Sequence, residues 1–355
     1  MKNFIRNYRW FLAGFGAILL QMVFKASSIL YETIYFKFIF QGVRIFHDYT
    51  FGLLPIPIVY VLFVGLIAYL FYRIRRTNKS DLKLVLILRS LFNTAGFVIF
   101  FFHLLWGFNY AQKPLAQRMD LQPIVVDSLQ LFEATEDVLA KMVRLRSQIS
   151  SNDSVALNHF DYQDSEENIR IHLEELMEGI DVPTIGRVRV RELNPKGILL
   201  RISTAGVYIP FVSEGHIDDG LHPLQKPFVL AHEMSHGYGI TDEGECNFTA
   251  FMTCASSENP EIQYSGYYGL WRYMMINLRY ISPSLYNQIA ANLPEGIKKD
   301  YIAVREEMAK YPDILPEVRD FIYDGFLRSQ GVRGGIMSYN TVVNLYMRQL
   351  ENEKQ

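Results

Sequence analysis

The sequence predicts an α+β protein: three N-terminal transmembrane helices, then a mostly helical domain with a small antiparallel sheet. Three long apolar runs fill the first third of the chain, each past the about 18 residues that mark a membrane span. Between Gly186 and Phe211 the chain is rich in β-branched and aromatic residues and is cut by Gly, Asn and Pro, as strands are. From Pro227 onward the apolar residues recur at helical spacing almost to the C-terminus. The 355 residues suffice for a membrane domain over 1–110 and one sizeable domain over 111–355.

The first span is Trp10 to Leu30, apolar except for Gln21, Lys25 and two serines, and preceded by Lys2, Arg6 and Arg9. It resembles a signal peptide, but no small-residue cleavage site follows it and further spans do. Thr33 to Phe46 is aromatic and amphipathic, and is expected to lie in the membrane interface. Phe51 to Tyr72, broken by Pro55 and Pro57, is the second span. Leu84 to Trp106 is the third, with Arg89 near one end able to snorkel.

Charge divides the chain. Residues 1–118 hold 14 Lys/Arg and 3 Asp/Glu, net +11; the remainder holds 21 and 34, net −13. The acidic part argues against nucleic-acid binding, which needs a basic surface. The short loops set the orientation. Three basic residues precede the first span and five lie between the second and third (Arg73, Arg75, Arg76, Lys79, Lys83). Only Lys37 and Arg44 lie between the first and second. The N-terminus and second loop are therefore expected in the cytoplasm. The chain from about Gly107 onward is expected on the extracytoplasmic (periplasmic) side of the cytoplasmic, inner membrane. The bilayer is then the first partner.

After the junction WGFNYAQKPLAQRM come two predicted helices, Val125 to Ile149 and Ser165 to Gly179. Gly186 to Leu193, Gly197 to Ser203 and Gly206 to Phe211 read as strands, and Pro210 suits an edge strand. Pro227 fits the first turn of the next helix, and Gly237 and Gly239 fit its end. Further helices are expected over Glu243 to Ser256, Tyr264 to Tyr280, Pro283 to Asn292, Pro294 to Lys310, Pro316 to Ser329 and Tyr339 to Glu351. Cys246 and Cys254, eight residues apart on one helix, would be about 12 Å apart, too far for a disulfide.

The chemistry lies in FVLAHEMSHGYGITDEGECNF, Phe228 to Phe248. HEMSH puts His232 and His236 at i and i+4, on one helix face, where two imidazoles can bind one metal ion. Glu233 is placed to take a proton from a metal-bound water. A third ligand is needed, and Asp242, Glu243 and Glu245 are the candidates. Asp242 completes HExxHxxGxxD, but that pattern calls for a later Met-turn, and Met252, Met274 and Met275 fall in helical pattern instead. Glu243 shares a helix face with Asn247, whose amide can orient a ligand histidine. Glu245 is about 200° round the helix from Glu243. Glu243 is preferred, and the other two stay open. The His/His/carboxylate set favours one Zn2+.

HExxH followed by ExxC(D/N) is similar to the motifs of membrane-embedded metallopeptidases. These are the CAAX-protease and heat-shock membrane protease families, with ExxAD, and the antibiotic-sensor metallopeptidases, with ExxCD. In those families the first Glu binds zinc, which maps onto Glu243; Asn247 stands where they have Asp. A wider resemblance covers nearly the whole chain. The N-terminal spans, WGFNY, GVYIPF–SEGHID and HExxHxxGxxxExExN resemble the "domain of unknown function 3810" family of bacterial membrane proteins. That resemblance implies a zincin-like (HExxH) metallopeptidase domain.

The expected function is a membrane-anchored zinc metallopeptidase. A zinc-activated water hydrolyses a peptide bond, with Glu233 as general base. The strand at Val207, Tyr208 and Ile209 could pair with an extended peptide or protein substrate. Tyr264, Tyr267, Arg272, His216 and Tyr339 are candidates to steady the oxyanion. The alternative is a non-catalytic membrane sensor or scaffold with a structural or vestigial zinc site. An intact Glu233 disfavours it, because a structural site needs no base. Cleavage within the membrane is disfavoured because HEMSH lies in a polar segment far from the third span.

Overall fold

The structure is a computed structural model that describes residues 2–76, 84–150, 155–314 and 341–354. Lys79, Lys83, Tyr339 and the helix expected over Pro316 to Ser329 lie outside the described residues. The described chain is mostly helical and forms two units. The first comprises Met1–Lys113 with Ile185–Arg189 and Ile209–Glu214; the second comprises Pro114–Thr184, Val190–Tyr208 and Gly215–Gln355.

Among the described residues of the first unit, three helices are long and apolar enough to cross a membrane: α1 (Arg9–Ala26), α2 (Ile58–Arg76) and α3 (Leu84–Leu105). α1 stops short of the expected Leu30 because Ser27 is extended, and its side chain caps the next turn by accepting from Leu30 N. α2 starts later than expected, immediately after Pro57, which supplies no N–H to a helical ladder. The Glu214 carboxylate caps it, accepting from Ile58 N at 2.9 Å.

α1 and α3 run parallel. Phe11 packs on Phe92, Gly14 on Gly96 and Phe24 on Phe108, so the partners climb together. A Cβ on Gly14 would fall 2.6 Å from the Gly96 carbonyl oxygen, so the two backbones touch. Tyr31–Phe40, wound in the wider π form, and Gln41–Asp48 follow α1. Tyr31, Tyr35, Phe36 and Phe40 are buried, while Ile34 and Phe38 on the other side are exposed. The WGFNY junction closes this end of the bundle: Phe108 meets the rings of Phe24 and Tyr35, and Asn109 accepts from the Tyr31 hydroxyl at 3.0 Å.

The second unit is a helical body with most of a three-stranded sheet. Its helices are α4 (Ser128–Ile149), α5 (Tyr162–Gly179), α6 (Lys226–Gly237), α7 (Glu243–Ser256), α8 (Pro260–Ile281), α9 (Pro283–Ala291), α10 (Glu295–Ala309) and α11 (Thr341–Glu353). Side-chain caps start several of them: Asp127 and Gln130 form a capping box on α4, Asp161 caps α5 and Asn259 caps α8. α6 sits centrally, packed against α5, α7, α8 and β1.

The sheet departs from the expected one in three respects. Its order is β1 (Val190–Leu193), β3 (Glu214–Asp218), β2 (Gly206–Ile209). β1 and β3 are parallel, with Val190 opposite Gly215 and Leu193 opposite Asp218, so the sheet is not purely antiparallel. β2 reverses into β3 through Pro210–Ser213, which is too short for a parallel crossover. Gly197 to Ser203 is not a strand. The N–H groups of Gly197, Leu199 and Leu200 converge on the Asp218 carboxylate at 2.7–3.1 Å, and Leu200–Ile202 is a 3-10 turn. Donors aimed at one point cannot form a ladder. The central strand, EGHID, is missing from the expectation because its Glu, His and Asp are buried.

Candidate metal centre

α6 starts as its sequence suggests, with Pro227 in its first turn. It ends at Gly237, and Gly239 at φ +98° turns the chain toward α7. Asp242 caps α7, its Oδ1 accepting from Gly244 N and Glu245 N at 2.9 and 3.0 Å. The cap starts α7 at Glu243, and its side chain returns to α6.

The Glu243 carboxylate Oε2 lies 3.1 Å from His232 Nε2 and 3.8 Å from His236 Nε2. These three residues form the metal-competent group among the described residues, with ligand atoms all within 4.8 Å of one another. Ligand atoms on a tetrahedral ion with bonds of about 2.0–2.1 Å stand about 3.3 Å apart, so the spacing fits. The side chains of His232, His236 and Glu243 are 12%, 9% and 13% exposed, shielded yet not sealed.

The far ring nitrogens are held from behind. His232 Nδ1 meets Asn247 Oδ1 at 2.9 Å; His236 Nδ1 meets the Ile240 carbonyl at 2.8 Å and Cys246 Sγ at 3.3 Å. Carbonyl acceptors behind both rings suit a proton on Nδ1, the tautomer in which each Nε2 could ligate a cation. Burial alone would raise the Glu243 carboxyl; the two imidazoles outweigh it and hold the group well below the ordinary range.

Glu233 is buried beside this group, against the sheet. It is 3% exposed, and its Oε2 is buried without a hydrogen-bond partner among the described residues. Burial pushes its carboxyl up to about 7, with His232 and His236 opposing and Glu243 adding. Two glycines make room for it. A Cβ on Gly206 would fall 2.6 Å from Glu233 Oε1, and one on Gly215 would fall 3.1 Å from Glu233 Cβ. The GVYIPF–SEGHID segment is thus the sheet that backs Glu233. Val207, Tyr208 and Ile209 follow Gly206 on β2, at the sheet's edge.

The other sequence candidates lie elsewhere or do other things. Asp242 is the cap already described. Glu245 turns away from the three ligands and accepts from Leu115 N at 2.6 Å; burial, aided by Asp242, pushes its carboxyl up to about 8. The Tyr264 hydroxyl donates to Asp300 at 2.7 Å, and the Tyr267 ring packs edge-on against Phe251. Arg272 is exposed, and the fully buried His216 stands opposite Arg191 on β3. Tyr273, also on α8, packs its ring 6.4 Å from that of Phe228 on α6. The sequence marks it only as a polar position on α8 four residues after Gly269.

No curated protein and no solved structure matches the chain. The profile of one family, described as "Protein of unknown function (DUF3810)", matches residues 35–347, which span the second and third apolar helices, the sheet and the metal-competent group. The chain therefore belongs to the DUF3810 family.

Proposed function

We propose that this protein is a membrane-anchored, zincin-like zinc metallopeptidase that hydrolyses peptide bonds on the extracytoplasmic side of the cytoplasmic membrane. The observation that carries the reading is the meeting of His232 Nε2, His236 Nε2 and Glu243 Oε2 beside a buried Glu233 with an unpartnered oxygen. Two imidazoles and one carboxylate at this spacing suit Zn2+ and leave room for a further, non-protein position. When bound, the ion would polarise a carbonyl and acidify water.

Glu233 is the general base. Its Oε2 takes the proton of the attacking water and passes it to the leaving amine. A carboxyl near 7 suits both halves of that exchange, because acceptance and release are then nearly balanced. Gly206 and Gly215 let the sheet close over Glu233 and keep bulk water from it. An extended peptide added to the free edge of β2 at Val207 and Ile209 would run past Glu233. The parallel run of α1 and α3 agrees with three spans whose first and third cross in the same direction.

Glu233→Gln tests the enzyme reading against a sensor or scaffold with a structural zinc. The expected result is a loss of peptidase activity of about 10²–10⁴-fold with one zinc retained per chain. Unchanged cleavage by the zinc-loaded variant would sink the enzyme reading.

A further inference from the structure

α6 carries His232 and His236, and α7 carries Glu243. The three can converge on one ion only if the two helices keep one register. Most side-chain contacts that join the helices end on a histidine: Glu243 on His232 and His236, Asn247 on His232, Cys246 on His236. One does not. Thr249 Oγ1 donates to Ser235 Oγ at 2.7 Å, with the two residues 1% and 0% exposed. Among the described residues, this is the side-chain hydrogen bond between α6 and α7 that involves none of the three metal-competent residues.

Both hydroxyls are also tied to their own helices. Ser235 Oγ donates to the Ala231 carbonyl at 2.8 Å, and Thr249 Oγ1 stands 3.1 and 3.0 Å from the Glu245 and Cys246 carbonyls. The preceding turn therefore holds each side chain in one rotamer. The protons run one way, from Thr249 to Ser235 to Ala231, and hydroxyls polarised in one direction strengthen one another. Ser235 lies between His232 and His236, and Thr249 lies two residues beyond Asn247. The bond thus fixes α7 against the turn of α6 that bears both imidazoles.

The contacts that end on the histidines depend on what occupies the site. To ligate, two ring nitrogens and a carboxylate must present lone pairs to one point, and without a cation those lone pairs repel. A proton on a ring relieves the repulsion and has to leave when a metal ion enters. The Ser235–Thr249 bond is neutral and buried, and no proton or ion has to enter or leave it. We propose that Ser235 and Thr249 are positioning residues: their hydrogen bond is a metal-independent clasp that presets the spacing of His232, His236 and Glu243 for a divalent cation. The inference rests on the metal-site reading above.

The test is zinc affinity, measured on the purified full-length protein in detergent by competition with a chromogenic chelator. Thr249→Val keeps the shape of the side chain and removes the donor; Ser235→Ala removes the acceptor. Neither strands a buried hydroxyl, since Ser235 keeps the Ala231 carbonyl and Thr249 keeps those of Glu245 and Cys246. Each is expected to weaken zinc binding about three- to tenfold, as the share of metal-free protein with converged ligands falls, with one zinc still bound at saturation. The double variant should bind no more weakly than the weaker single, because both changes remove the same bond. Thr249→Ser keeps the hydroxyl and should bind within about twofold of wild type. Unchanged affinity in the single variants would overturn the proposal. So would additive losses in the double variant, or a loss in Thr249→Ser as large as in Thr249→Val, since either means that the residues act through packing. A wild-type protein that binds no zinc would instead remove the metal-site reading, and the clasp with it.

Discussion

His216 lies on β3 with none of its surface exposed, and burial pushes its imidazole down to about 3, with Arg191 adding to the shift. Its folded pKa is therefore below its unfolded value near 6.5, and the folded state binds the proton less well. Stability from this group is fully present above pH 6.5 and is lost as the pH falls from 6.5 toward 3. The slope approaches about 1.4 kcal/mol per pH unit in that window. Thermal unfolding of wild type and His216→Gln, followed from pH 7 to 4.5, should show the steeper decline in wild type. Parallel curves would contradict the assignment. Elsewhere residue contacts were partly legible in the sequence: the i, i+4 spacing of Glu243 and Asn247 anticipated that both meet His232. The packing of Tyr273 on Phe228 was not legible, because 22 tyrosines in one chain leave no pattern that separates it from the rest.

Among the elements, long helices were readable and the sheet was not. α7 begins and ends where the sequence places it, and Asp242 proves to be its cap and not a ligand of the group. The sheet eluded the pattern because β3 buries charge. Asp218 replaces lost hydration with four backbone donors, from Gly197, Leu199, Leu200 and Gly220, and Glu214 does so with Ile58 N. No alternation of apolar and polar residues survives such a strand. The fit of β2 against α6 has its own test. In Gly206→Ala the new Cβ would meet Glu233 Cγ and the His216 carbonyl oxygen, both at 2.8 Å, and the carbonyl is fixed in the ladder. The variant should be less stable by about 1–3 kcal/mol, read as a lower unfolding midpoint. An unchanged midpoint would mean that the sheet can slide away from α6.

At the scale of the whole molecule, the proposed topology can be read chemically. Cys246 and Cys254 are buried, so the wild-type background for a membrane-impermeant maleimide should be low. Single cysteines at the exposed positions Ser147 and Arg76 report on the two sides. In spheroplasts, Ser147→Cys should be labelled at once and Arg76→Cys only after the membrane is opened. The reverse order would place HEMSH in the cytoplasm and discard an extracytoplasmic peptidase.

Periodicity and spacing within the sequence determined the three apolar spans, the helix bearing His232 and His236, and the choice of Glu243 over Asp242 and Glu245 as preferred ligand. All of these follow from helix geometry over fewer than about 25 residues. Only the tertiary structure decided that β1 and β3 run parallel around a buried EGHID and that glycines from two strands house Glu233. Each of those is a meeting of segments distant in the chain or a desolvated polar group with a specific partner. Hydrophobic pattern carries no signal for either, because it reports which face is buried and not what is found there.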